Sequence, residues 1–349
     1  MLANIQLRNF RCFESLRVEF FPGFNFFIGR NGQGKTSILE AACVLLRLQS
    51  QRSSTLAPLI RFGEKSFALS GGIDGHVLEF HYSALRRKVA FDEVDQRTLE
   101  EYLRAGRVVS FANTDIELVR GGSEIRRRYL DFLATQVDPL YRPTLRSYER
   151  ALRSRNALLK SPQPRPREIA AYDAPLLEHG GKLSTMRARL IERLAPLAAA
   201  AHRAISETEE ELVLEFSPGN SDDFPSDLAN SRAQELRLRQ TVVGPHRDDI
   251  RLLVEAHPAS QYASEGQQRT VALALKTAQA RVFMAEEGKP PLLLIDDIFG
   301  ELDPVRRNSL LRSLPADAQK LVTATTMQWR EQGGEGPVFE LKNGRLIGG

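Results

Sequence analysis

The feature that most constrains this chain is a glycine-rich segment that lies between a predicted strand and a predicted helix. The strand is the apolar run Phe24–Ile28, and residues 35–48 place their apolar side chains on one helical face. The segment fits the pattern G-x-x-x-x-G-K-[ST] with Gly29, Arg30, Asn31, Gly32, Gln33, Gly34, Lys35 and Thr36. Its glycines let backbone N–H groups point at phosphate oxygens, Lys35 reaches the outer phosphates, and the Thr36 hydroxyl can bind Mg²⁺. The segment therefore predicts an ATP-binding phosphate loop.

A second motif is an apolar strand, Leu292–Asp296, which ends in a pair of carboxylates completed by Asp297. A strand beside the phosphate loop can place Asp296 at the Mg²⁺ site and leave Asp297 facing the attacking water. An acidic pair after an apolar strand is also common without a catalytic role, and the presence of the phosphate loop favours the catalytic interpretation. Lys35, Asp296 and Asp297 are thus the candidate catalytic residues. Residues 301–303 follow, where Asp303 can simply cap the next helix.

A third motif, residues 264–269, directly precedes a long predicted helix. Ser264 and the Gly266 amide lie where a helix N-terminus can hold an anion, and Gln267 follows them in the motif. A second phosphate-binding turn is redundant within one subunit, because residues 29–36 already hold the nucleotide. It is useful if it completes the ATP site of a partner subunit, and the alternative is a plain helix N-cap.

The order of predicted elements indicates one nucleotide-type α/β core that is split by a helical insertion. Strand and helix patterns occupy both ends of the chain, and a helical middle includes a long helix predicted over residues 183–211. We expect the α/β head to comprise residues 1–105 and 210–349, and the inserted helical lobe to comprise residues 106–209.

Turn signals indicate two antiparallel features within the head. Three alternating segments between residues 67 and 91, separated by the turn pairs Gly71-Gly72 and Asp74-Gly75, predict a meander. Residues 338–347 predict a hairpin around Asn343 and Gly344.

Arginine dominates the basic residues, with 39 arginines and nine lysines against 44 acidic residues, and the formal net charge is +4. The planar guanidinium suits phosphate oxygens and permits a polyanionic partner, although genome composition also explains an arginine-rich chain. Cys12 and Cys43 lack metal-ligand spacing, so we expect reduced thiols in a cytoplasmic protein. Apolar runs all fall short of the ~20 residues that span a bilayer.

The three motifs, in this order, resemble those of ABC/SMC-type ATPases, and the chain resembles more closely the RecF family of DNA replication and repair proteins. The closer similarity rests on residues 7–11, 121–131, 155–160 and 244–249, together with Tyr148. It extends over nearly the whole chain in the right order. The fold class that it implies is α/β, an ABC-type P-loop ATPase head with an inserted helical lobe.

The resemblance implies an ATP-dependent homodimer that binds double-stranded DNA and its junctions with single strands. Such proteins are weak, DNA-stimulated ATPases that use ATP and Mg²⁺ and act with RecO and RecR partners to load recombinase at gaps. Carried over to this sequence, Lys35 and Thr36 bind nucleotide and metal, Asp296 assists the metal, and Ser264 contacts the γ-phosphate across the dimer. Asp297 stands where ABC-type relatives have a catalytic Glu.

This sequence departs from the family pattern at two places. Residues 51–55 are looser than the family's His-Arg-Thr pattern, which leaves the role of that loop open. The strand at residues 322–326 has no histidine at the position that transporter ATPases use as a switch, which points away from transport.

The alternative functions are a P-loop small-molecule kinase and another ABC/SMC-type ATPase. A kinase predicts an acceptor pocket and no use for residues 264–269, while chromosome organisers need coiled-coil arms longer than a ~100-residue segment without heptads supplies. Arg126, Arg127 and Arg128 are candidate DNA-binding residues, and a Glu-paired helix face explains them equally well. We expect His246 to be structural, near the dimer or DNA surface, rather than a catalytic base.

Overall fold

The computed structural model describes residues 1–53, 55–327, 334–342 and 344–347. Its strands are β1 (Leu2–Phe10), β2 (Phe13–Glu19), β3 (Phe24–Ile28), β4 (Ser66–Ile73), β5 (His76–Ser83), β6 (Arg87–Phe91), β7 (Val94–Asp95), β8 (Val108–Ala112), β9 (Leu212–Ser217), β10 (Asp249–Val254), β11 (His257–Pro258), β12 (Leu292–Asp296), β13 (Lys320–Ala324), β14 (Val338–Lys342) and β15 (Arg345–Ile347). Its α-helices are α1 (Lys35–Arg47), α2 (Glu100–Arg104), α3 (Glu117–Arg120), α4 (Ser123–Val137), α5 (Tyr141–Leu159), α6 (Pro166–Ala170), α7 (Asp173–Ser206), α8 (Phe224–Asn230), α9 (Arg232–Leu238), α10 (Ala259–Tyr262), α11 (Glu265–Glu287) and α12 (Pro304–Ser313).

The chain forms two compact units. The first contains Met1–Asp115, Ala204–Thr208 and Leu273–Gly349, and the second contains Ile116–Arg203 and Glu209–Ala272. Our sequence-based division assigns residues 210–272 to the head, whereas these residues lie in the second unit. The predicted domain boundaries stay a prediction.

A six-stranded sheet in the order β15-β14-β3-β13-β12-β8 forms the core of the first unit. Each neighbouring pair from β14 to β8 runs parallel, and β15 pairs with β14 antiparallel. All of β13 and all but the last residue of β12 are buried, as expected for the central strands of a parallel sheet. The predicted strands at β3, β12 and β13 and the terminal hairpin are confirmed, although Asn343 lies outside the described residues.

A second six-stranded sheet of the first unit is antiparallel, in the order β2-β1-β4-β5-β6-β7. Its strands β4, β5 and β6 confirm the predicted meander. The predicted turn at Gly71-Gly72 is wrong, because both residues lie inside β4 and the chain turns after Ile73. A Cβ on Gly71 would lie 2.5 Å from the carbonyl oxygen of Asn4 in β1. Glycine is therefore needed there for close approach of two strands, not for a turn.

The second unit combines helices with a three-stranded sheet in the order β11-β10-β9, which the sequence analysis does not predict. The long helix predicted over residues 183–211 is α7, which begins ten residues earlier, at Asp173, and ends five residues earlier, at Ser206. The prediction omits residues 173–182, in which Gly180 and Gly181 are poor helix formers. A Cβ on Gly180 would lie 2.8 Å from the Phe224 ring and 3.1 Å from the Tyr148 ring, so this glycine lets aromatic rings pack against the helix.

Among the helices of the described residues, none combines the length and the apolar character needed to cross a membrane.

Candidate functional site

The predicted phosphate loop follows β3 at the carboxyl end of the parallel sheet. The register pairs Ala324 with Ile28, Asp296 with Thr323, and Asp296 with Ala112, so the ends of β3, β13, β12 and β8 are level. Open parallel sheets bind ligands at this edge, where the loops that follow the strands converge. The first two sequence motifs therefore lie together at one edge of the first unit.

The loop bends sharply before α1, which begins at Lys35. Gly34 has φ of 99°, in the left-handed region that favours glycine, and a Cβ there would lie 2.7 Å from both the Cys12 sulfur and the Phe13 ring. On the other side, a Cβ on Gly29 would lie 2.5 Å from the carbonyl oxygen of Leu341. Side chains are excluded at both glycines, and the backbone can approach phosphate groups closely at the N-terminus of α1.

Lys35 is buried inside this loop. Its Nζ donates to the carbonyl oxygens of Gly29 at 2.5 Å and Arg30 at 3.1 Å. Burial lowers the pKa of Lys35, and the nearby carboxylates of Asp297 and Asp296 oppose that shift. A buried ammonium at the start of a helix is suited to bind the outer phosphates of a nucleotide.

Three side-chain oxygens meet beside the lysine. The Thr36 hydroxyl donates to Oδ1 of Asp296 at 2.7 Å, and the Thr323 hydroxyl donates to the same atom at 2.8 Å. Two ligands of an octahedral Mg²⁺ lie about 2.9 Å apart, because each is held at 2.0–2.1 Å from the ion. The spacing of the Thr36 and Asp296 oxygens thus fits joint binding of Mg²⁺, with phosphate and water as further ligands. Among the described residues, no group of three or more His, Cys, Asp or Glu side chains could hold a metal ion.

Asp297 follows the strand with a backbone that is unusual for a non-glycine residue, at φ of 54°. Its N–H donates to the Thr323 carbonyl at 3.2 Å, and its own carbonyl accepts from Asn113 Nδ2 at 3.2 Å. Burial raises the pKa of Asp297, Lys35 opposes this, and Asp296 adds to it. Backbone strain and a raised carboxyl pKa at one residue are typical of functional positions.

The sequence analysis missed Asn113, Asp115 and Lys276, which lie behind this edge. Asp115 accepts from the backbone N–H of Ala112 at 2.8 Å and pairs with Lys276 Nζ at 3.0 Å. Burial raises the pKa of Asp115, and Lys276 opposes that shift. Asn113 and Asp115 follow β8, whose strand signal is weak because Ser110 interrupts its apolar residues. Lys276 lies on α11, far from them along the chain.

The third motif lies in the second unit and forms a capping box at the start of α11. The Ser264 N–H donates to Gln267 Oε1 at 2.8 Å, and the Gln267 N–H donates to Ser264 Oγ at 3.3 Å. Gln267 Nε2 also donates to Glu210 Oε1 at 2.8 Å. The N-cap geometry that we expected as the alternative is therefore present, and the ATP-binding role of Ser264, Gly266 and Gln267 stays a prediction.

All three candidate DNA-binding arginines make contacts within the second unit. Arg126 binds both carboxylate oxygens of Asp249, at 2.7 and 2.9 Å, and Arg127 donates to the Asp248 carbonyl at 2.7 Å. Arg128 is 63% exposed and pairs with Glu124. Their binding to DNA remains a prediction, for which only Arg128 presents a largely exposed side chain.

Two other residues have contacts that match the structural interpretations. Asp303 caps α12 by accepting from the Arg306 N–H at 2.9 Å. His246 Nε2 is 2.9 Å from the Thr241 carbonyl oxygen, and Nδ1 is 2.7 Å from the Tyr148 hydroxyl. Burial lowers the pKa of His246 to about 4, so the ring is neutral at pH 7, with Nε2 donating and Nδ1 accepting.

Comparison with known proteins extends these observations to the whole chain. The family model of the RecF/RecN/SMC N-terminal domain matches residues 1–336. The chain is 35% identical to the DNA replication and repair protein RecF of Symbiobacterium thermophilum, over 99% of this chain and 98% of that protein.

Two solved structures are similar over nearly their full length. A structure of the recombination mediator protein RecF with ATP, in the RecFOR pathway, has a TM-score of 0.89 at 28% identity and covers 99% of this chain and 97% of that chain. An Smc head bound to the C-winged helix domain of ScpA has a TM-score of 0.57 at 14% identity, over 99% and 96% of the two chains. These similarities confirm the predicted fold class, an ABC-type α/β ATPase head.

Proposed function

The chain belongs to the RecF family of DNA replication and repair proteins, and from that premise we propose that it is an ATP-dependent DNA-binding protein of recombinational repair. In this proposal an ATP-bound homodimer binds double-stranded DNA and its junctions with single strands, and helps to load recombinase at gaps. The RecFOR pathway of the solved relative supports RecO- and RecR-type partners. The observation that carries the proposal is the convergence of Lys35, Thr36 and Asp296 at one edge of the parallel sheet.

Nucleotide binding uses the groups already gathered at that edge. Lys35 exchanges its two carbonyl contacts for oxygens of the outer phosphates, and loop N–H groups bind the others. Thr36 and Asp296 would hold Mg²⁺, which when bound neutralises charge on the phosphates. Thr323 keeps Asp296 oriented through its hydroxyl.

Hydrolysis in this proposal depends on Asp297, which we assign to orient the attacking water. Its main chain is fixed by hydrogen bonds from Asn113 and to Thr323. Its side chain is one methylene shorter than the Glu of ABC-type relatives, so it reaches less far toward a water beside the γ-phosphate. We therefore expect slow ATP hydrolysis, which suits a protein whose dimerisation is switched by ATP.

The Ser264 turn, residues 264–267, supports the dimeric part of the proposal. Ser264 is exposed, and its neighbours hold it at the N-terminus of the 23-residue helix α11. A site that already has one phosphate loop gains from such a turn only when the turn comes from another subunit. ATP between two subunits would therefore link nucleotide binding to dimer formation.

Sedimentation velocity with and without ATP, each in the presence and absence of duplex DNA, tests the proposal. We expect a monomer without nucleotide, a dimer with ATP and Mg²⁺, and a DNA-bound species that forms with ATP. Lys35→Met should stay monomeric with ATP, because the substituted side chain cannot bind phosphate. Lys65→Met, which changes an exposed lysine of the same unit, is the matched control and should behave as the parent protein.

An oligomeric state that ATP leaves unchanged, together with the absence of a DNA-bound species, would overturn the proposal. ATP consumption by a monomer with transfer of phosphate to a small acceptor would support the kinase alternative instead.

A further inference from the structure

We propose that Glu210 is a positioning residue for the Ser264 turn, acting through the side chain of Gln267. The inference rests on the proposed function, because it concerns the turn that would bind the partner subunit's ATP. It goes further by assigning a role to a carboxylate outside the three sequence motifs.

The contacts form a chain of hydrogen bonds that leads from Glu210 to Ser264. Glu210 Oε1 accepts from Gln267 Nε2 at 2.8 Å, and Gln267 Oε1 accepts from the Ser264 N–H at 2.8 Å. The Gln267 N–H then donates to Ser264 Oγ at 3.3 Å. Gln267 thus uses its amide nitrogen, its amide oxygen and its backbone N–H at once.

The chemistry of the two end groups allows only one orientation of the Gln267 amide. An ionised carboxylate only accepts hydrogen bonds, and a backbone N–H only donates. If the amide were turned by 180°, its oxygen would face the Glu210 carboxylate and its NH₂ group would face the Ser264 N–H. Both contacts would be repulsive, so Glu210 directs the amide oxygen toward Ser264. The bond to a charged acceptor is also stronger than one between neutral groups.

This orientation prepares Ser264 to donate. A hydroxyl has one proton to donate and can accept two hydrogen bonds. Because Ser264 Oγ accepts from the Gln267 N–H, its proton is available to an acceptor outside the turn, such as a phosphate oxygen. Glu265, the next residue, has its own charge matched by Arg120 and Arg269, at 3.3 and 3.0 Å. An incoming anion therefore meets the Ser264 hydroxyl as a hydrogen-bond donor, and the charge of the adjacent Glu265 is compensated by the two arginines.

A charge exchange between positions 210 and 267 tests the inference. Gln267→Glu should weaken ATP-dependent dimerisation about 10-fold or more, because two carboxylates would then face each other. Glu210→Gln should stay within about 3-fold of the parent protein, since the new amide oxygen still accepts from Gln267 Nε2. The double variant Glu210→Gln/Gln267→Glu should recover most of the loss, since the amide at position 210 can donate to the new carboxylate.

The matched control combines Gln267→Glu with Glu209→Gln, which removes an equal charge from the exposed neighbour. It should not restore dimerisation. Dimerisation is measured by sedimentation at increasing ATP, nucleotide binding to the monomer by fluorescence titration, and folding by thermal unfolding.

The outcomes separate the two proposals. If the parent protein does not dimerise with ATP, the proposed function fails. Suppose instead that the parent protein dimerises with ATP. The role of Glu210 is then refuted if adding Glu210→Gln restores dimerisation of the Gln267→Glu variant no better than adding Glu209→Gln does. A Gln267→Glu variant that dimerises like the parent refutes it as well.

Discussion

Two oppositely charged residues at the phosphate loop, Lys35 and Asp297, have pKa values that burial shifts toward their neutral forms. Burial lowers the pKa of Lys35 and raises the pKa of Asp297, while each group partly stabilises the charge of the other. Neither residue forms a direct ion pair with the other among the described contacts. Because Lys35 affects the pKa of Asp297, that pKa depends on what binds in the loop.

Asp297→Asn should slow hydrolysis strongly and spare ATP binding. The amide keeps the size of the side chain and loses the charge that we propose orients the attacking water, so we expect a fall in kcat of about 100-fold or more. Steady-state phosphate release and nucleotide titration measure the two effects separately. Equal losses in binding and hydrolysis would show that Asp297 serves the fold of the loop rather than turnover.

The pH dependence has a defined direction. Because the pKa of Asp297 is raised, the active carboxylate is lost as the pH falls through a value above the ordinary 3.8. The acidic limb of a kcat/KM profile, which reports the free enzyme, should therefore lie above pH 3.8. Asp297→Asn should remove this limb from the residual activity, and a limb that persists would belong to another group.

At the scale of elements, β4 depends on glycine where it crosses β1. Gly71→Ala should destabilise the protein by about 1–3 kcal/mol, because the new methyl group meets a backbone oxygen that cannot move away. Gly72→Ala is the matched control, because the nearest atom there is the side-chain nitrogen of Asn4 at 3.2 Å, which can rotate. Urea unfolding measures the difference, and equal effects at both positions would contradict the steric argument.

Which elements the sequence predicts depends on how local their signal is. The strands β3, β12 and β13 are mostly apolar, and the phosphate loop is contiguous in the chain, so both are visible without knowledge of the fold. The strand β8 escapes prediction because its identity as a strand comes from pairing with β12, far along the chain. For the same reason Asn113 and Asp115 were not assigned to the site.

Glycine residues led to a wrong prediction of a turn. Gly71 and Gly72 were predicted to form a turn, yet both lie within β4. The sequence shows that these positions are glycine, but only the packed structure shows whether a turn or a close neighbour requires glycine there.

Within the second unit, Arg155 carries a buried charge network that holds helices together. Its guanidinium is fully buried and binds Glu235 at 2.7 and 2.9 Å, Thr241 at 2.8 Å and Asp173 at 3.1 Å. Arg155→Met should cost about 3–5 kcal/mol, because it leaves Glu235 buried without its partner. Arg153→Met, at a side chain 70% exposed, should change stability by less than about 0.5 kcal/mol.

The free energy of unfolding from urea titration measures both variants. Adding Glu235→Met to Arg155→Met should recover much of the loss, because it removes the uncompensated charge. A double variant as unstable as the single one would show that packing, rather than charge, dominates at this position.

At the scale of the whole molecule, the composite ATP site can be tested by mixing two inactive variants. Lys35→Met removes the phosphate loop's lysine, and Ser264→Arg blocks the turn that would face a partner. Each should be inactive alone, whereas an equal mixture should regain part of the activity, because each mixed dimer contains one intact site. ATP hydrolysis measures the recovery, and a mixture as inactive as its components would argue for a site built within one chain.

The two cysteines differ in a way that gives direct experimental access to the phosphate loop. Cys12 is exposed and its sulfur lies against Gly34, whereas Cys43 is buried and burial raises the pKa of its thiol to about 12. Because thiolates, not thiols, react with alkylating reagents, a maleimide fluorophore should label Cys12 and leave Cys43 unmodified. The native chain thus offers a single attachment point for a dye next to the loop, without any engineered substitution.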